Sequence, residues 1–233
     1  MSETVAFVGA AGGVGTTRTT LGCAELLARD GRDTVVLDAA YGTQGLADRI
    51  SGTIDPDMTR LCLEKTPLES GLLDQPIEGA GRLSVCPATA PFCRLAVAKT
   101  VEAAERFESR IGEATRAFEY VLVDTPPIAA NQAVAAATTV DTVAVVCDAA
   151  RAESAIPRTA DRLADIGVER YTSVVTHTSE HPDADATVPS LEPEPPVVDS
   201  AAIGELADAV EAAVGVRIEP KEPDGLLSEL PFK

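Results

Sequence analysis

The sequence predicts an α/β protein with a single doubly wound, mostly parallel sheet and helices on both faces. Three observations indicate this class. Apolar runs typical of buried strands recur along the 233 residues and alternate with segments of helical spacing. Two of those runs end in an aspartate, and the first run leads directly into a glycine-rich turn. Strands that alternate with helices favour a parallel sheet, because each crossover helix covers one face of it.

The first strand and helix are predicted within residues 5–20, which read VAFVGAAGGVGTTRTT. Residues 5–8 predict a strand, the glycines a tight turn, and the segment from Thr16 a helix. Glycines let the backbone turn so that successive N–H groups and the helix N-terminus converge on an anion. A tight turn without a ligand is the alternative. The predicted phosphate-binding residues are Gly12, Gly13, Val14, Gly15, Thr16 and Thr17.

Two aspartates are predicted to face this turn. Residues 34–37 form a β-branched, apolar run that ends at Asp38, and residues 120–127 read YVLVDTPP, a buried strand that ends at Asp124. In open α/β sheets, ligands bind outside the C-terminal ends of the strands. Thr17 stands where a phosphate-loop hydroxyl holds Mg²⁺. We therefore expect Thr17, Asp38 and Asp124 to form a Mg²⁺ site, with the two carboxylates acting through water.

The rest of the chain continues the alternation. Further strands are predicted at residues 83–86, 142–146 and 173–176, and helices at 95–118, 154–166 and 201–214. Residues 51–81 show no strong period, and we expect short helices and loops there; residues 178–199 predict an acidic, proline-rich surface loop. We expect one domain over residues 1–216. Residues 217–233 form a predicted tail whose apolar cluster, LLSELPF, either docks a partner or packs on its own domain.

The composition is strongly acidic. The chain has 19 Lys and Arg against 37 Asp and Glu, a formal charge of -18. Only four of the basic residues are lysines (Lys65, Lys99, Lys221 and Lys233), a pattern that resembles the proteomes of extreme halophiles. Binding of nucleic acid or anionic lipid by charge needs clustered Lys and Arg, which this sequence lacks. We therefore expect no electrostatic nucleic-acid partner.

Cysteine usage and hydropathy predict a cytoplasmic protein. The five cysteines show no C-x-x-C spacing, so we expect buried free thiols in a reducing cytosol. No signal-peptide pattern precedes the first predicted strand, and no run is long enough to predict a transmembrane segment.

These motifs together resemble the ParA/MinD family of deviant Walker A P-loop ATPases. The resemblance covers roughly the first three-fifths of the chain; YVLVDTPP is its most specific part, and residues 83–89, LSVCPAT, also match. It implies a P-loop NTPase-like fold, binding of Mg-ATP or Mg-ADP, and a homodimer with nucleotide between its subunits. It also implies a protein partner, because members of the family position DNA, division machinery or other cargo.

The departures from the family pattern concern the residues that act on phosphate. The family loop reads K-G-G-x-G-K-[ST], whereas Ala11 and Thr16 here replace both lysines. In the family the first lysine crosses the dimer interface, and the second neutralises the β- and γ-phosphates. A carboxylate that helps to position water is replaced by Ala40, and the asparagine that reads adenine is absent at Thr176–His177. We expect weak Mg²⁺-dependent binding, impaired or absent hydrolysis, and a homodimer weakened by Ala11.

Three functions remain open at this point. The first is a nucleotide-binding regulatory or positioning protein, which Asp38 and Asp124 favour. The second is a non-catalytic pseudo-ATPase scaffold that binds proteins, which the lost lysines favour. A ligase or synthetase on the same fold is the third, although such enzymes depend on the loop lysine. Two cations were considered as replacements for that lysine: K⁺ from a potassium-rich cytoplasm, and Arg18, whose side chain we expect to point into solvent instead.

Overall fold

One eight-stranded sheet forms the centre of the computed structural model of the protein, which describes residues 2–191 and 202–218. The strands are Glu3–Gly9 (β1), Asp33–Asp38 (β2), Leu73–Gln75 (β3), Arg82–Cys86 (β4), Tyr120–Thr125 (β5), Thr142–Asp148 (β6), Thr172–Thr176 (β7) and Ala186–Val188 (β8). Their order is β3-β4-β2-β5-β1-β6-β7-β8. Every pairing is parallel except that of β3 with β4. The predicted fold class is confirmed.

Seven α-helices cover this sheet within the described residues. They are Thr16–Arg29 (α1), Met58–Glu64 (α2), Phe92–Ala98 (α3), Val101–Ala114 (α4), Asn131–Thr139 (α5), Ala152–Asp165 (α6) and Ile203–Val214 (α7). The central strands β1, β5 and β6 are buried along almost their whole length. Strands covered on both faces read as continuous Val, Ala and Leu runs, which explains why the sequence shows them so clearly.

The predicted single helix over residues 95–118 is wrong. Two helices, α3 and α4, cover this region, and Phe118 follows the second of them. The break comes at Thr100, which has an extended backbone and whose side-chain oxygen accepts a hydrogen bond from the Ala103 N–H. A threonine in this N-cap geometry starts a new helix, because it satisfies a backbone donor that the first turn leaves free.

Three other elements, β3, β8 and α5, were not predicted. Residues 51–81 contain the short helix α2, as expected, but also β3, and the predicted loop at 178–199 contains β8. The strands β3 and β8 have three residues each, too few to produce a readable alternation. The short helix α5 also escaped prediction. Residues 192–199 of the predicted loop and residues 219–233 of the predicted tail lie outside the described part of the chain.

Four of the five cysteines are buried free thiols, as expected, but Cys93 is exposed. It lies on α3, a helix whose one buried residue is Ala98, so most of its side chains face outward. None of the helices in the described part of the chain has the length and apolar character that spanning a bilayer requires.

The sheet topology determines where a ligand can bind. From β1 the chain passes to β2 and β4 on one side of the sheet, and β6, β7 and β8 lie on the other side. Ligands in open α/β sheets bind at such a reversal of strand order, outside the C-terminal ends of the strands. The glycine-rich turn after β1 lies at this point, between the ends of β5 and β6.

Candidate functional site

The turn between β1 and α1 has the backbone of an anion-binding loop. Gly13 and Gly15 both have left-handed backbone angles, with φ of 73° and 84°, a conformation that side chains with a Cβ rarely adopt. Gly15 is the N-cap of α1, and no side chain caps the helix. The first turn also contains no acidic residue. Backbone N–H groups at this helix end are therefore available to an anion, which the helix dipole also favours.

The loop is attached to the neighbouring strand β7 by a buried contact. Val14 is 1% exposed, and its carbonyl oxygen accepts a hydrogen bond of 2.7 Å from the Thr176 hydroxyl. Thr176 is the last residue of β7 and is itself buried. This contact ties the loop at Val14 to the sheet.

Thr17 and Asp124 form the polar centre of the site. The Thr17 hydroxyl donates a 2.6 Å hydrogen bond to Oδ2 of Asp124. Asp124 is 1% exposed, and its Oδ1 is buried without a hydrogen-bond partner among the described residues. Burial raises the pKa of Asp124, while the Thr17 hydroxyl and the charge of Arg49 act in the opposite direction. A buried carboxylate oxygen without a partner is costly, so this donor set fits a hydrated Mg²⁺ ion.

Asp38 lies beside Asp124 but is already engaged by the backbone. The two residues are register partners on the adjacent strands β2 and β5. Oδ1 of Asp38 accepts a hydrogen bond from the Ala40 N–H (2.7 Å), and Oδ2 accepts one from the Ala88 N–H (3.0 Å). Burial, and secondly the charge of Asp124, raise the pKa of Asp38. A metal-bound water would have to use the lone pairs that these two contacts leave.

Arg49 brings a positive charge to this centre. It ends a short 3-10 helix at Ala47–Arg49, and its Nη1 donates a 2.7 Å hydrogen bond to the Gly45 carbonyl. A Cβ on Gly45 would lie 3.2 Å from Thr17 Oγ1 and 3.7 Å from Arg49 Nη1. The glycine thus allows the segment after β2 to approach Thr17 closely and brings the guanidinium with it.

A second arginine contacts the tip of the loop. Arg151 follows β6 and forms an ion pair with Asp148 at the end of that strand. Its Nη1 also donates a 3.1 Å hydrogen bond to the Gly12 carbonyl. Because the side chain is exposed, the contact contributes little to stability.

Two positions bear on the missing lysine and its replacements. At the lysine position, Thr16 Oγ1 lies 2.7 Å from where a Cβ on Gly9 would stand, so the side chain extends over the end of β1. Arg18 is only 7% exposed, so the expectation that it points into solvent is wrong. Helix α1 packs between the sheet and α7, and all residues from Arg18 to Ala28 are consequently buried.

The structure brings Thr17 and Asp124 into contact and places Asp38 beside Asp124, whereas neither Arg49 nor Arg151 was identified from the sequence. Arg49 lies eleven residues after Asp38 in a segment without periodicity. A local signal existed, because this arginine is the first basic residue after β2 in a chain with few of them. His177 lies in the segment where the asparagine of the family pattern is absent. Its Nε2 lies 3.8 Å from where a Cβ on Gly15 would stand, and its Nδ1 is 3.1 Å from Ser190 Oγ.

A strand, a glycine-rich loop with free N–H groups, a helix and a neighbouring strand-end aspartate define a P-loop NTPase-like protein. The AAA_31 family model, described as an AAA domain, matches residues 2–167, so the chain belongs to that family. No curated protein matches the sequence.

Solved structures share the fold across almost the whole chain. A chain of the MinC:MinD cell division protein complex from Aquifex aeolicus has a TM-score of 0.70 at 20% identity, covering 95% of this chain and 99% of that one. A putative plasmid partition protein from Borrelia burgdorferi, bound to AMPPNP, has a TM-score of 0.72 at 14% identity, covering 91% and 97%. Cobyrinic acid a,c-diamide synthase from Mycobacterium smegmatis, with ATP analog and magnesium, has a TM-score of 0.71 at 15% identity, covering 96% and 100%.

These similarities confirm the expected ParA/MinD-type P-loop ATPase fold. Because a synthase shares it as closely as partition and cell division proteins do, the fold by itself does not select among their activities. The residues of the site have to do so.

Proposed function

We propose that this protein is a nucleotide-binding regulatory or positioning protein that binds Mg-ATP or Mg-ADP weakly and hydrolyses ATP slowly or not at all. One observation carries the proposal. The buried, unpartnered Oδ1 of Asp124 adjoins the Thr17 hydroxyl at the uncapped N-terminus of α1. A scaffold with no ligand would have no need for an unsatisfied carboxylate oxygen at that point.

Each part of the site has a role in this proposal. The N–H groups of the loop residues 12–17 bind the phosphates, and Thr17 supplies a direct Mg²⁺ ligand. Asp124 accepts hydrogen bonds from metal-bound water, while Asp38 holds the backbone at Ala40 and Ala88 in place. The Mg²⁺ ion, when bound, neutralises phosphate charge that the protein itself counters only in part.

Weak binding follows from the missing lysines. A charge-assisted hydrogen bond contributes about 1.5–3 kcal/mol, so the loss of two removes about 3–6 kcal/mol. That corresponds to roughly 10²- to 10⁴-fold in affinity. Potassium ions beside the phosphates would recover part of this loss, and a replacement of KCl by NaCl at equal ionic strength would reveal their contribution.

Slow or absent hydrolysis follows from two other positions. Ala40 is 5% exposed and places a methyl group where the family pattern has its helper carboxylate. Ala11 cannot supply a charge to the nucleotide of a second subunit, so a nucleotide-bridged homodimer would also be weaker. The effects of groups that act as a unit in catalysis are strongly non-additive. The absence of a lysine at Ala11 and of a carboxylate at Ala40 should therefore lower the hydrolysis rate more than it weakens binding.

The missing lysines also favour a second candidate, a pseudo-ATPase scaffold that uses the fold as a protein interaction module. Both candidates include a protein partner, and the MinC:MinD complex is an example of such an assembly on this fold. The two candidates differ in whether Mg-nucleotide binds at all, which makes binding the measurement that separates them.

The decisive experiment is calorimetry with ATP, ADP and GTP, with Mg²⁺ or EDTA, in molar KCl. Asp124→Asn removes the unpartnered carboxylate, and Asp208→Asn is the control, because it removes an equal charge from the exposed surface of α7. We expect micromolar to millimolar binding that requires Mg²⁺, is lost in Asp124→Asn and is retained in Asp208→Asn. Binding of no nucleotide would leave the scaffold as the function. Nanomolar binding of metal-free ATP, or appreciable turnover, would overturn the proposal.

A further inference from the structure

The site contains two adjacent buried carboxylates and no lysine. Asp38 and Asp124 are 0% and 1% exposed and are register partners on neighbouring strands. A triphosphate brought beside them adds several more negative charges. Mg²⁺ offsets part of that charge, but like charges in a poorly solvated site repel strongly. A protein cation near Thr17 would relieve the repulsion.

The structure places one guanidinium at this point. Arg49 Nη1 and Thr17 Oγ1 both lie within 4 Å of the position that a Cβ on Gly45 would take. Thr17 in turn contacts Asp124, and the charge of Arg49 is close enough to act on that carboxylate. The segment that carries Arg49 follows β2, so this cation comes from a part of the chain separate from the glycine-rich loop.

The hydrogen-bonding capacity of Arg49 is largely unused. Within the described chain its guanidinium makes one hydrogen bond, from Nη1 to the Gly45 carbonyl. Its Nε is buried and has no partner. A guanidinium has five N–H donors in a fixed fork that matches phosphate oxygens. A buried donor without a partner is unfavourable, and an anion bound at Thr17 would supply an acceptor.

We propose that Arg49 is the phosphate-contacting cation of this site and replaces, from the segment after β2, the lysine that the loop lacks at Thr16. The inference rests on the proposed nucleotide-binding function and adds a named residue to it. The ligand class is a Mg-nucleoside di- or triphosphate. The Nη1 contact to Gly45 holds the side chain near Thr17 and leaves its other donors for phosphate oxygens.

Three variants test this role. Arg49→Gln removes the charge and keeps an amide. Arg49→Lys keeps the charge and loses the fork. Arg158→Gln is the control, because Arg158 is exposed on α6 and makes its hydrogen bonds to Ser154 alone within the described residues. Each variant is measured for Mg-ATP and Mg-ADP affinity by calorimetry in molar KCl and for thermal unfolding without nucleotide.

We expect Arg49→Gln to weaken Mg-ATP binding by roughly 10- to 150-fold, the share of one charge-assisted hydrogen bond. Arg49→Lys should lose less, and Arg158→Gln should match the wild type. Equal affinity of Arg49→Gln and wild type would overturn the role while leaving the proposed function intact. A lower melting temperature with unchanged affinity would show that Arg49 serves only the fold. Tighter Mg²⁺-dependent binding in Arg49→Gln would overturn it too, since the guanidinium would then occupy the metal position. If the wild type itself binds no nucleotide, the proposed function fails first.

Discussion

Restoring the loop lysine by Thr16→Lys tests whether the turn after β1 is a phosphate cradle. Thr16 is the first residue of α1 and is partly exposed, so a longer side chain can enter the site without unpacking the core. Its Oγ1 already extends over the end of β1, close to Gly9. A lysine at this position starts from the same Cβ, and Gly9 leaves space for its methylene groups because it has no side chain.

The expected gain can be worked from one contact. A charge-assisted hydrogen bond contributes about 1.5–3 kcal/mol, so Mg-ATP affinity should rise roughly 10- to 150-fold. The lysine also opposes the dipole at the N-terminus of α1, at a cost of about 0.3–1 kcal/mol. That cost falls on the folded protein without nucleotide. We therefore expect tighter binding together with a slightly lower melting temperature.

The assay is calorimetry with Mg-ATP in molar KCl on four proteins. Thr16→Lys is compared with the wild type and with Thr138→Lys, which adds the same charge at an exposed position on α5. The same substitution is made in the Arg49→Gln background. If Arg49 already contacts the phosphates, the introduced lysine and Arg49 would share one role, and contacts to a shared partner do not add. The gain in Mg-ATP affinity from Thr16→Lys should then be larger in the Arg49→Gln protein than in the wild type.

Two results would refute the reasoning. A Thr16→Lys protein that binds Mg-ATP no better than Thr138→Lys would mean that the loop does not hold phosphate. Efficient turnover by Thr16→Lys alone would mean that the positions of Ala11 and Ala40 matter less than the family pattern implies. We expect no turnover, because Ala11 supplies no charge to the nucleotide of a second subunit and Ala40 supplies no helper carboxylate.

Two further predictions concern Mg²⁺ and pH. Thr17→Val removes the hydroxyl that donates to Asp124 with little change of volume, so Mg²⁺ should no longer strengthen nucleotide binding. The control Thr138→Val should behave as wild type. A Mg²⁺ effect that is undiminished in Thr17→Val would exclude Thr17 as a ligand. The pKa values of Asp38 and Asp124 are raised by burial, so the native state holds protons that the unfolded chain releases above about pH 4. The free energy of unfolding without metal should therefore fall as pH rises from about 4 toward the native pKa values. Chemical unfolding should show a steeper fall with pH for the wild type than for Asp124→Asn. An equal dependence on pH in the two proteins would contradict a raised pKa of Asp124.

The parts of the fold that the sequence predicts are those whose signal is local. The strands β1, β2 and β5 are continuous apolar runs because both faces of the sheet are covered. Since parallel strands present their C-terminal ends at one edge, a terminal aspartate on each of two strands places both carboxylates at the same site. Asp38 and Asp124 could therefore be assigned to one centre before their registry was known.

The parts that escaped prediction depend on contacts between distant segments. Thr176 holds the loop through the Val14 carbonyl, across 162 residues of sequence. Ala88 engages Asp38 through a backbone N–H, which no side-chain pattern can reveal. Arg49 lies near Thr17 because Gly45 lets its segment approach, and neither residue type is informative alone. These contacts depend on how the strands pack together in the sheet, so they can be identified only once the positions of the strands are known.

The charges of the site suggest how the missing lysines can be tolerated. Relative to the family pattern, Ala11 and Thr16 remove two positive charges, while Ala40 removes one negative charge. Arg49, in the role proposed for it, returns one positive charge. The balance near the phosphates is then unchanged, although its distribution differs. Charge balance is what binding a Mg-nucleotide requires, whereas transition-state stabilisation requires donors at fixed positions. In the proposed function, a site that keeps the charge balance but lacks donors at fixed positions would bind Mg-nucleotide without hydrolysing it.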